Sequence, residues 1–358
     1  MNKLVINGRF LTQSMTGVQR YAHEFVHALD SLLEDRPDLE VRLLSPRLCG
    51  NAPVYRHIIH QSVGRLQGHL WEQLELPRFV NGAPLFCPGN TAPIASLLGA
   101  GRVVVTVHDL SYLYFPQAYS SAFRLLYNTL MPLILRRAAA VITVSNSERE
   151  SILKHYPFAK ERLTAIQNGG LPTGVVAPPV APADEPYVLY VGSLSKRKNF
   201  PGMLEVACRL ASKRGLRFVF VGGVPDGIAD SVTRISHDIR DRIVFLGQVN
   251  DWEVLMKHYR SATCFFFPSF YEASPLPPIE AMACGCPVIA ASISSLRERC
   301  GDAALYCDPA SIESMANAVE CLVDDPVLQH SLRAKGYQRA ERYSWANCAK
   351  QTLALAMG

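Results

Sequence analysis

Short apolar runs alternate with helical segments along most of this chain. The runs KLVING, VRLLSP, RVVVTV and AAAVITV occur in the first half, and YVLYV, RFVFVGG, RIVFLGQV and CFFFP in the second. Apolar runs of this length, bounded by turn residues, are typical of buried strands in parallel sheets. Strands that alternate with helices in this way predict parallel sheets with crossover helices, which is an α/β fold.

Two helices can be placed from the sequence. Apolar residues recur at helical spacing in 18–33, VQRYAHEFVHALDSLL, and the spacing of Thr16 and Gln19 predicts a capping box at its start. The segment SWANCAKQTLALAM, 344–357, predicts a helix at the end of the chain. The first helix follows the strand KLVING, and the second comes after all the predicted strands.

A chain of 358 residues exceeds what one compact core usually holds, so two domains are expected. The segment LPTGVVAPPVAPADEP, 171–186, is dense in proline and predicts the linker between them. The sequence therefore predicts two facing Rossmann-like domains, 1–172 and 173–342, with a deep cleft between them and ligands at the carboxyl ends of the strands.

Composition is ordinary for a soluble α/β protein, with 49% hydrophobic and 19% charged residues. No apolar run reaches the roughly 18 residues that a membrane-spanning helix needs. The opening MNKLVINGRF predicts a strand rather than a signal peptide. The ten cysteines include no Cys-x-x-Cys pair, which argues against a metal site. We therefore expect reduced thiols and a cytoplasmic location.

The net charge of +5 lies in the first half of the chain. Residues 1–172 hold 17 Lys and Arg against 12 Asp and Glu, whereas residues 173–358 hold 19 of each. A basic first half can meet an anionic lipid surface, although scattered solubilising charge gives the same count. Nucleic-acid binding is not expected, because no basic run is longer than 196–198, Lys-Arg-Lys, and no aromatic residues interleave with the basic ones.

The segment FFFPSFYEASPLPPIEAMACGCP, 265–287, carries the most specific chemistry. Glu272 and Glu280 bracket a loop after a buried strand, and Pro277 and Pro278 fit the first turn of the helix that follows. Loop amides and a helix N-terminus suit a phosphate. The two carboxylates suit sugar hydroxyls, from which they accept hydrogen bonds.

This segment resembles the motif of the family-4 retaining glycosyltransferases, two-domain GT-B enzymes that use nucleotide-sugar donors. The resemblance implies that Glu272 contacts the donor sugar and Glu280 the ribose hydroxyls. It places Ser274 and Leu276 at the donor as well. It also implies that the C-terminal helix, about 343–358, packs back on the N-terminal, acceptor-binding domain.

The loop GSLSKRKN resembles the family's Gly-x-Leu-x-x-Arg-Lys-Asn, which implies that Arg197 and Lys198 bind the donor diphosphate. Fixed cations at a strand end are what a metal-free diphosphate leaving group requires. No Asp-x-Asp, the metal-nucleotide motif of the other main glycosyltransferase fold, occurs in the sequence. We therefore expect neither a metal nor a cofactor.

The sequence departs from the family pattern at two places. Ala-Ser-Pro at 273–275 stands where the family usually has Gly-Phe-Gly, and Pro275 cannot donate a backbone N–H to the donor. Ser193 stands where many relatives carry an additional arginine. The positive charge at the diphosphate then falls on Arg197 and Lys198.

The remaining candidate residues follow from the same resemblance. MTGVQRY resembles the N-terminal donor-phosphate loop, in which Gly17 lets the backbone approach a phosphate. His108, in VHDLSYLYFP, is implied beside the sugar's C6 hydroxyl and the reaction centre, with Asp109 orienting the loop or His108. Gly222 and Val249 are expected at the nucleotide.

The resemblance covers essentially the whole chain and implies a retaining transfer of a hexose to a hydroxyl acceptor. Retention is expected to proceed by front-face attack. The opening Thr-Gly-Val-Gln-Arg-Tyr favours the mannosyltransferases of bacterial polysaccharide assembly, with GDP-mannose as donor and a lipid-linked or glycan acceptor at the inner face of the cytoplasmic membrane. A UDP-hexose or dTDP-rhamnose donor is the alternative within this class, and a nucleotide-sugar 2-epimerase is the alternative from another. A regulatory nucleotide-binding protein with a degenerate site is disfavoured by the intact acidic and basic motifs.

Overall fold

The computed structural model describes residues 2–47, 53–172, 185–223 and 235–358. The chain divides into two units: an N-terminal unit, Met1–Thr173 together with Ser344–Gly358, and a second unit, Gly174–Tyr343. Most of the predicted linker, 171–186, lies outside the described residues. Each unit is a parallel sheet with crossover helices, so the predicted α/β class is confirmed.

The described part of the N-terminal unit holds one parallel sheet with the strand order β3-β2-β1-β4-β5-β6-β7. Its strands are β1 Asn2–Asn7, β2 Leu39–Ser45, β3 Ile59–Ser62, β4 Leu85–Cys87, β5 Val103–Thr106, β6 Ala140–Thr143 and β7 Leu163–Ala165. Strands β5 and β6 are buried along their whole length, as their continuous apolar sequence predicts, and so is β4, which the sequence did not predict. The strand order turns back between β1 and β4, which is the topological switch point of this sheet.

The helices of this unit cover the sheet. They are α1 Gly17–Leu32, α2 Gly68–Leu70, α3 Leu76–Val80, α4 Ile94–Leu98, α5 Ser111–Tyr114, α6 Ser121–Arg137 and α7 Asn146–His155. A π-helical turn, Trp71–Glu75, joins α2 to α3. Helix α1 begins where the sequence predicts, with Thr16 as its N-cap.

The predicted capping box at the start of α1 is wrong. The Thr16 hydroxyl bonds to the side-chain oxygen of Gln19 and makes no bond to a backbone N–H of the first turn. The Gln19 amide nitrogen donates to Gln13 Oε1 at 2.9 Å. Side-chain pairing with the preceding loop has therefore displaced the local backbone cap.

The second unit repeats the topology with the strand order β10-β9-β8-β11-β12-β13. Its strands are β8 Tyr187–Val191, β9 Arg217–Val221, β10 Ile243–Gly247, β11 Cys264–Phe267, β12 Val288–Ala291 and β13 Ala304–Cys307. Its described helices are α8 Phe200–Arg214, α9 Trp252–Ser261, α10 Pro277–Ala283, α11 Ser294–Cys300, α12 Ile312–Asp324 and α13 Pro326–Ala340. The switch point of this sheet lies between β8 and β11.

The last helix, α14 Trp345–Met357, belongs to the N-terminal unit and packs on α1. The buried Trp345 ring lies 5.8 Å from the Tyr21 ring, centroid to centroid. A Cβ at Gly169 would come within 2.3 Å of the same indole, so this position has room only for glycine. Arg102 donates to the carbonyl of Leu355 at 2.8 Å. Helix α14 is thus part of the N-terminal unit although it follows the second unit in the sequence.

The described residues were compared with what disulfide bonds, metal sites and membrane-spanning helices require. The nine cysteines in the described ranges are all free. Burial raises the pKa of the Cys264 and Cys300 thiols to about 12, so these groups stay protonated and unreactive. Within the same ranges, no cluster of three His, Cys, Asp or Glu residues is placed to hold a metal ion. Nor does any described helix combine the length and hydropathy needed to cross a bilayer.

Replacing Trp345 with Ala should lower the free energy of unfolding of the N-terminal unit by about 3–5 kcal/mol, because a buried indole is lost between α1 and α14. Urea unfolding followed by circular dichroism measures the change. Gln351→Ala, at an exposed position of α14, is the matched control and should shift the value by less than about 0.5 kcal/mol. Equal stability of W345A and the unmodified protein would contradict an anchoring role for α14.

Candidate active site

Two loops leave the switch point of the second unit from adjacent strands. The loop after β8, 192–199, carries Arg197 and Lys198, and the loop after β11, 268–276, carries Glu272. The chain continues from these loops towards opposite edges of the sheet, which opens a crevice at the strand ends. The three charged side chains predicted from separate motifs meet there.

Glu272 is the centre of this charged cluster. Lys198 Nζ donates to Glu272 Oε1, and Arg197 Nη1 lies 3.7 Å from Glu272 Oε2. Glu272 is only 8% exposed, so the attraction is screened less than it would be in open water. Two cations and one carboxylate give the cluster a net charge of +1, which favours an anionic ligand.

Backbone contacts fix the two loops against each other. Arg197 Nη1 donates to the carbonyl of Tyr271 at 3.0 Å, and the Arg197 carbonyl accepts from Phe270 N at 3.1 Å. Lys198 Nζ lies 5.1 Å from the centre of the Phe267 ring. The cations are therefore held in place before any ligand arrives, which is the condition for preorganised electrostatic stabilisation.

Glu280 lies in helix α10, which follows the loop after β11, and is fully buried. Tyr259 Oη donates to Glu280 Oε2 at 3.0 Å. Pro277 and Pro278 occupy the first turn of α10, as the sequence predicts. The carbonyl of Leu276, the N-cap residue, accepts from Glu280 N at 3.1 Å. The Glu280 carboxylate thus lies on the first turn of the helix that follows the loop 268–276.

A buried arginine, Arg299, supports that loop and was not predicted from the sequence. Its Nε donates to the carbonyl of Pro275 at 3.2 Å, and its guanidinium lies 4.0 Å from the Tyr343 ring centre. Arg299 is 1% exposed. Pro275 offers no N–H but still offers a carbonyl, and Arg299 binds it. The sequence held no local signal for this role, since Arg299 lies in an ordinary charged helix, RERC.

The two glycines predicted at the donor, Gly222 and Gly17, have different surroundings in the structure. Gly222 has φ +148°, and a Cβ there would lie 1.9 Å from the carbonyl oxygen of Gly192. The backbone at Gly222 therefore packs closely against the loop after β8, and this contact leaves no room for a side chain. A Cβ at Gly17 would meet no atom within 4 Å, so packing does not explain that glycine. Val249 and Ser274 are half-buried in loops after β10 and β11.

His108 lies in the N-terminal unit, just after β5. Its Nε2 donates to the carbonyl of Pro88 at 2.8 Å, and its backbone N donates to Asn90 Oδ1 at 2.7 Å. The ring packs edge-on against Tyr21 with 4.7 Å between centroids. Burial lowers the pKa of His108, so the imidazole is neutral at pH 7. A neutral ring can contact a sugar without adding a charge.

Asp109 orients its own loop. Its Oδ1 accepts from Ser111 N at 2.9 Å and from Ser111 Oγ at 2.5 Å. None of the described hydrogen bonds joins Asp109 to His108. Of the predicted catalytic residues, the structure thus brings Arg197, Lys198 and Glu272 together in the second unit, while His108 lies in the N-terminal unit.

Two family models match consecutive parts of the chain. The model of the family described as "Glycosyltransferase Family 4" matches residues 15–169, and that described as "Glycosyl transferases group 1" matches residues 177–339. Two solved structures show the same fold. Sucrose-phosphate synthase from Thermosynechococcus elongatus has a TM-score of 0.75 at 24% identity and covers 99% of this chain and 98% of its own. WaaG, a glycosyltransferase involved in lipopolysaccharide biosynthesis, has a TM-score of 0.72 at 15% identity and covers 100% of both chains.

Two curated relatives extend the comparison in sequence. O-antigen chain mannosyltransferase B of Escherichia coli is 30% identical over 268 residues, which is 70% of this chain and 69% of that protein. O-antigen chain mannosyltransferase RfbU of Salmonella typhimurium is 26% identical over 218 residues, 60% of this chain and 59% of that protein. The chain therefore belongs to the family-4 glycosyltransferases and has their GT-B fold of two Rossmann-like domains.

Proposed function

We propose that this glycosyltransferase moves mannose from GDP-mannose to a hydroxyl of a glycan acceptor in cell-surface polysaccharide assembly, with retention of configuration. The observation that carries the proposal is the cluster of Arg197, Lys198 and Glu272 at the switch point of the second unit. Fixed cations suit a diphosphate, and a carboxylate suits sugar hydroxyls. The two similar O-antigen chain mannosyltransferases support the choice of mannose.

In the proposed reaction, the acceptor oxygen forms a bond to the anomeric carbon of the donor sugar. The bond from that carbon to the β-phosphate oxygen breaks, and its electron pair leaves with GDP. The acceptor proton passes to the departing phosphate oxygen. Attack and departure on the same face of the sugar retain its configuration.

Charge builds on the departing phosphate oxygen during this step. Arg197 and Lys198 stabilise that charge, and their contacts to the β11 loop hold them in place without a metal ion. Glu272 balances the cations before the donor binds and then accepts hydrogen bonds from the sugar. His108 supports the electron-poor anomeric centre, and its neutral ring adds no repulsive charge.

Glu280→Ala should weaken nucleotide binding about ten- to a hundredfold, because a hydrogen bond between a charged carboxylate and the ribose is lost. Thermal shift with GDP, UDP and dTDP measures this, and GDP should give the largest shift. Glu253→Ala, an exposed acid on α9, is the control and should leave the shift unchanged. An unchanged affinity in E280A would remove Glu280 from the ribose. A larger shift with UDP or dTDP would replace GDP as the donor base.

Lys198→Ala should lower kcat about 10²–10³-fold and raise the donor KM less, because the charge that Lys198 stabilises grows towards the transition state. Initial rates are measured in EDTA, where the unmodified enzyme should keep its activity. Lys196→Ala removes an exposed cation from the same loop and is the matched control.

Two outcomes would contradict this assignment. If only KM changed in K198A, Lys198 would bind the ground state and have no special part in leaving-group departure. If EDTA abolished activity and Mg²⁺ or Mn²⁺ restored it, the fixed cations would not suffice and the metal-independent mechanism would be wrong.

We further propose a peripheral contact with anionic membrane, where lipid-linked acceptors lie. The excess of 17 Lys and Arg over 12 Asp and Glu in residues 1–172 supports it. The protein should co-sediment with anionic vesicles at low salt and be released as salt rises, because surface attraction is screened. Phosphatidylcholine vesicles are the control. Absence of binding to anionic vesicles would point to an acceptor that is not membrane-bound.

A further inference from the structure

Glu272 lies on a loop that two arginines hold, one on each side of it. Before Glu272, Arg197 Nη1 donates to the carbonyl of Tyr271 at 3.0 Å. After Glu272, Arg299 Nε donates to the carbonyl of Pro275 at 3.2 Å. The backbone on either side of the Glu272 carboxylate is therefore tied to a guanidinium group.

The two arginines differ in their access to a ligand. The Arg197 side chain is 27% exposed and belongs to the charged cluster at the strand ends. An anion that binds there competes with Tyr271 and Glu272 for this guanidinium. Arg299 is only 1% exposed, so it has no surface with which to contact a ligand. A ligand at the cluster thus leaves the contact of Arg299 with the loop in place.

Arg299 is itself held by residues near the C-terminal end of the second unit. Its carbonyl, in the last turn of α11, accepts from Arg339 Nε at 2.9 Å and from Tyr343 Oη at 2.7 Å. Carbonyls in the last turn of a helix have no partner within the helix, so these two donors cap α11. The Tyr343 ring centre lies 4.0 Å from the guanidinium. The backbone and the side chain of Arg299 are thus both fixed before a ligand arrives.

The Pro275 carbonyl lies between the two carboxylates of the candidate site. Glu272 precedes it in the loop, and Glu280 follows it on the first turn of α10. The proline ring fixes φ at this position, so the backbone there has little freedom of its own. A hydrogen bond from a charged donor is roughly twice as strong as a neutral one. Arg299 therefore holds the link between the carboxylates more firmly than a neutral donor would.

We propose that Arg299 is a positioning residue for the donor sugar, which holds the loop 268–276 so that Glu272 keeps its place when the donor diphosphate engages Arg197. The proposal rests on the function proposed above and adds to it a residue that does not touch the donor. Arg299 acts through Glu272, because the loop that it holds carries that carboxylate. Its loss lowers the rate of sugar transfer and leaves nucleotide affinity unchanged, because a hydrogen bond from α9 holds Glu280 independently.

Arg299→Lys keeps the buried charge and removes the planar guanidinium that binds Pro275 and stacks on Tyr343. GDP release from GDP-mannose, with methyl α-D-mannopyranoside as acceptor, gives kcat and KM. We expect kcat to fall about tenfold in R299K, because a hydrogen bond from a charged group is lost. The affinity for GDP should change less than about twofold, since no contact to the nucleotide is removed. Arg297→Lys, at an exposed position of the same helix, is the matched control and should leave kcat unchanged.

Combining Arg299→Lys with Glu272→Gln shows whether Arg299 acts through Glu272. If it does, R299K should slow E272Q less than about twofold, because residues that act as a unit are not additive. A further loss of about tenfold in the double variant would mean that Arg299 acts elsewhere, and it would overturn the proposal. Equal losses of kcat and of GDP affinity in R299K would overturn it as well, because they indicate general damage to the fold.

Hydrogen exchange of the protein without ligand tests the contact independently of the reaction. Amides of the loop 268–276 should exchange about tenfold faster in R299K, because local opening of the loop becomes easier. Amides of β12 should exchange at the same rate in both proteins. If the loop exchanged at an unchanged rate in R299K, Arg299 would not hold it and the proposal would fail.

Failure of this inference and failure of the proposed function give different results. Sugar transfer that is unchanged in R299K would keep the transferase and reject Arg299 as a positioning residue. Faster exchange of the loop in R299K, in a protein that binds none of GDP, UDP and dTDP, would reject the transferase and reduce Arg299 to a structural support.

Discussion

Parallel strand pairing around a switch point is the constraint on which both units depend. In each sheet the chain builds strands towards one edge, returns, and builds towards the other. The loops that leave the two central strands therefore part from each other at the carboxyl ends, and a crevice between them needs no special sequence. The charged cluster of the second unit lies at such a point, and a cavity lined by Asn7, Arg9 and Gly89 lies at the switch point of the N-terminal unit. The topology decides where ligands bind, and the loop residues decide which ones.

The charged groups at the two switch points differ. In the second unit, Arg197 and Lys198 outnumber their carboxylate partner, and the cluster is net positive. In the N-terminal unit, Glu72 and Arg9 form a buried ion pair, and Asp109 is a further acid near the same switch point.

The loop between Glu272 and Glu280 is held by a contact from a helix that lies further along the chain. Pro275 removes a backbone donor and restricts the chain, while Arg299 binds the Pro275 carbonyl from a different helix. Tyr343 covers the guanidinium of Arg299. A buried arginine is costly unless its hydrogen bonds are satisfied, so its position at this loop indicates that the loop conformation is held by more than its own sequence.

The sequence by itself determined the α/β class, eight of the thirteen described strands, the start of α1 and the prolines of α10, because each follows from local periodicity or from the fixed φ of proline. The strands β3, β4, β7, β12 and β13 were not predicted. Through family motifs it also singled out Arg197, Lys198 and Glu272. Tertiary structure alone decided the side-chain pairing that displaced the capping box and the contact of Arg299 with the loop 268–276. It also placed Glu72 within hydrogen-bond distance of Asn7, which lies 65 positions earlier in the chain. Such contacts join residues far apart in sequence, and only the strand order of the sheet brings them within hydrogen-bond distance.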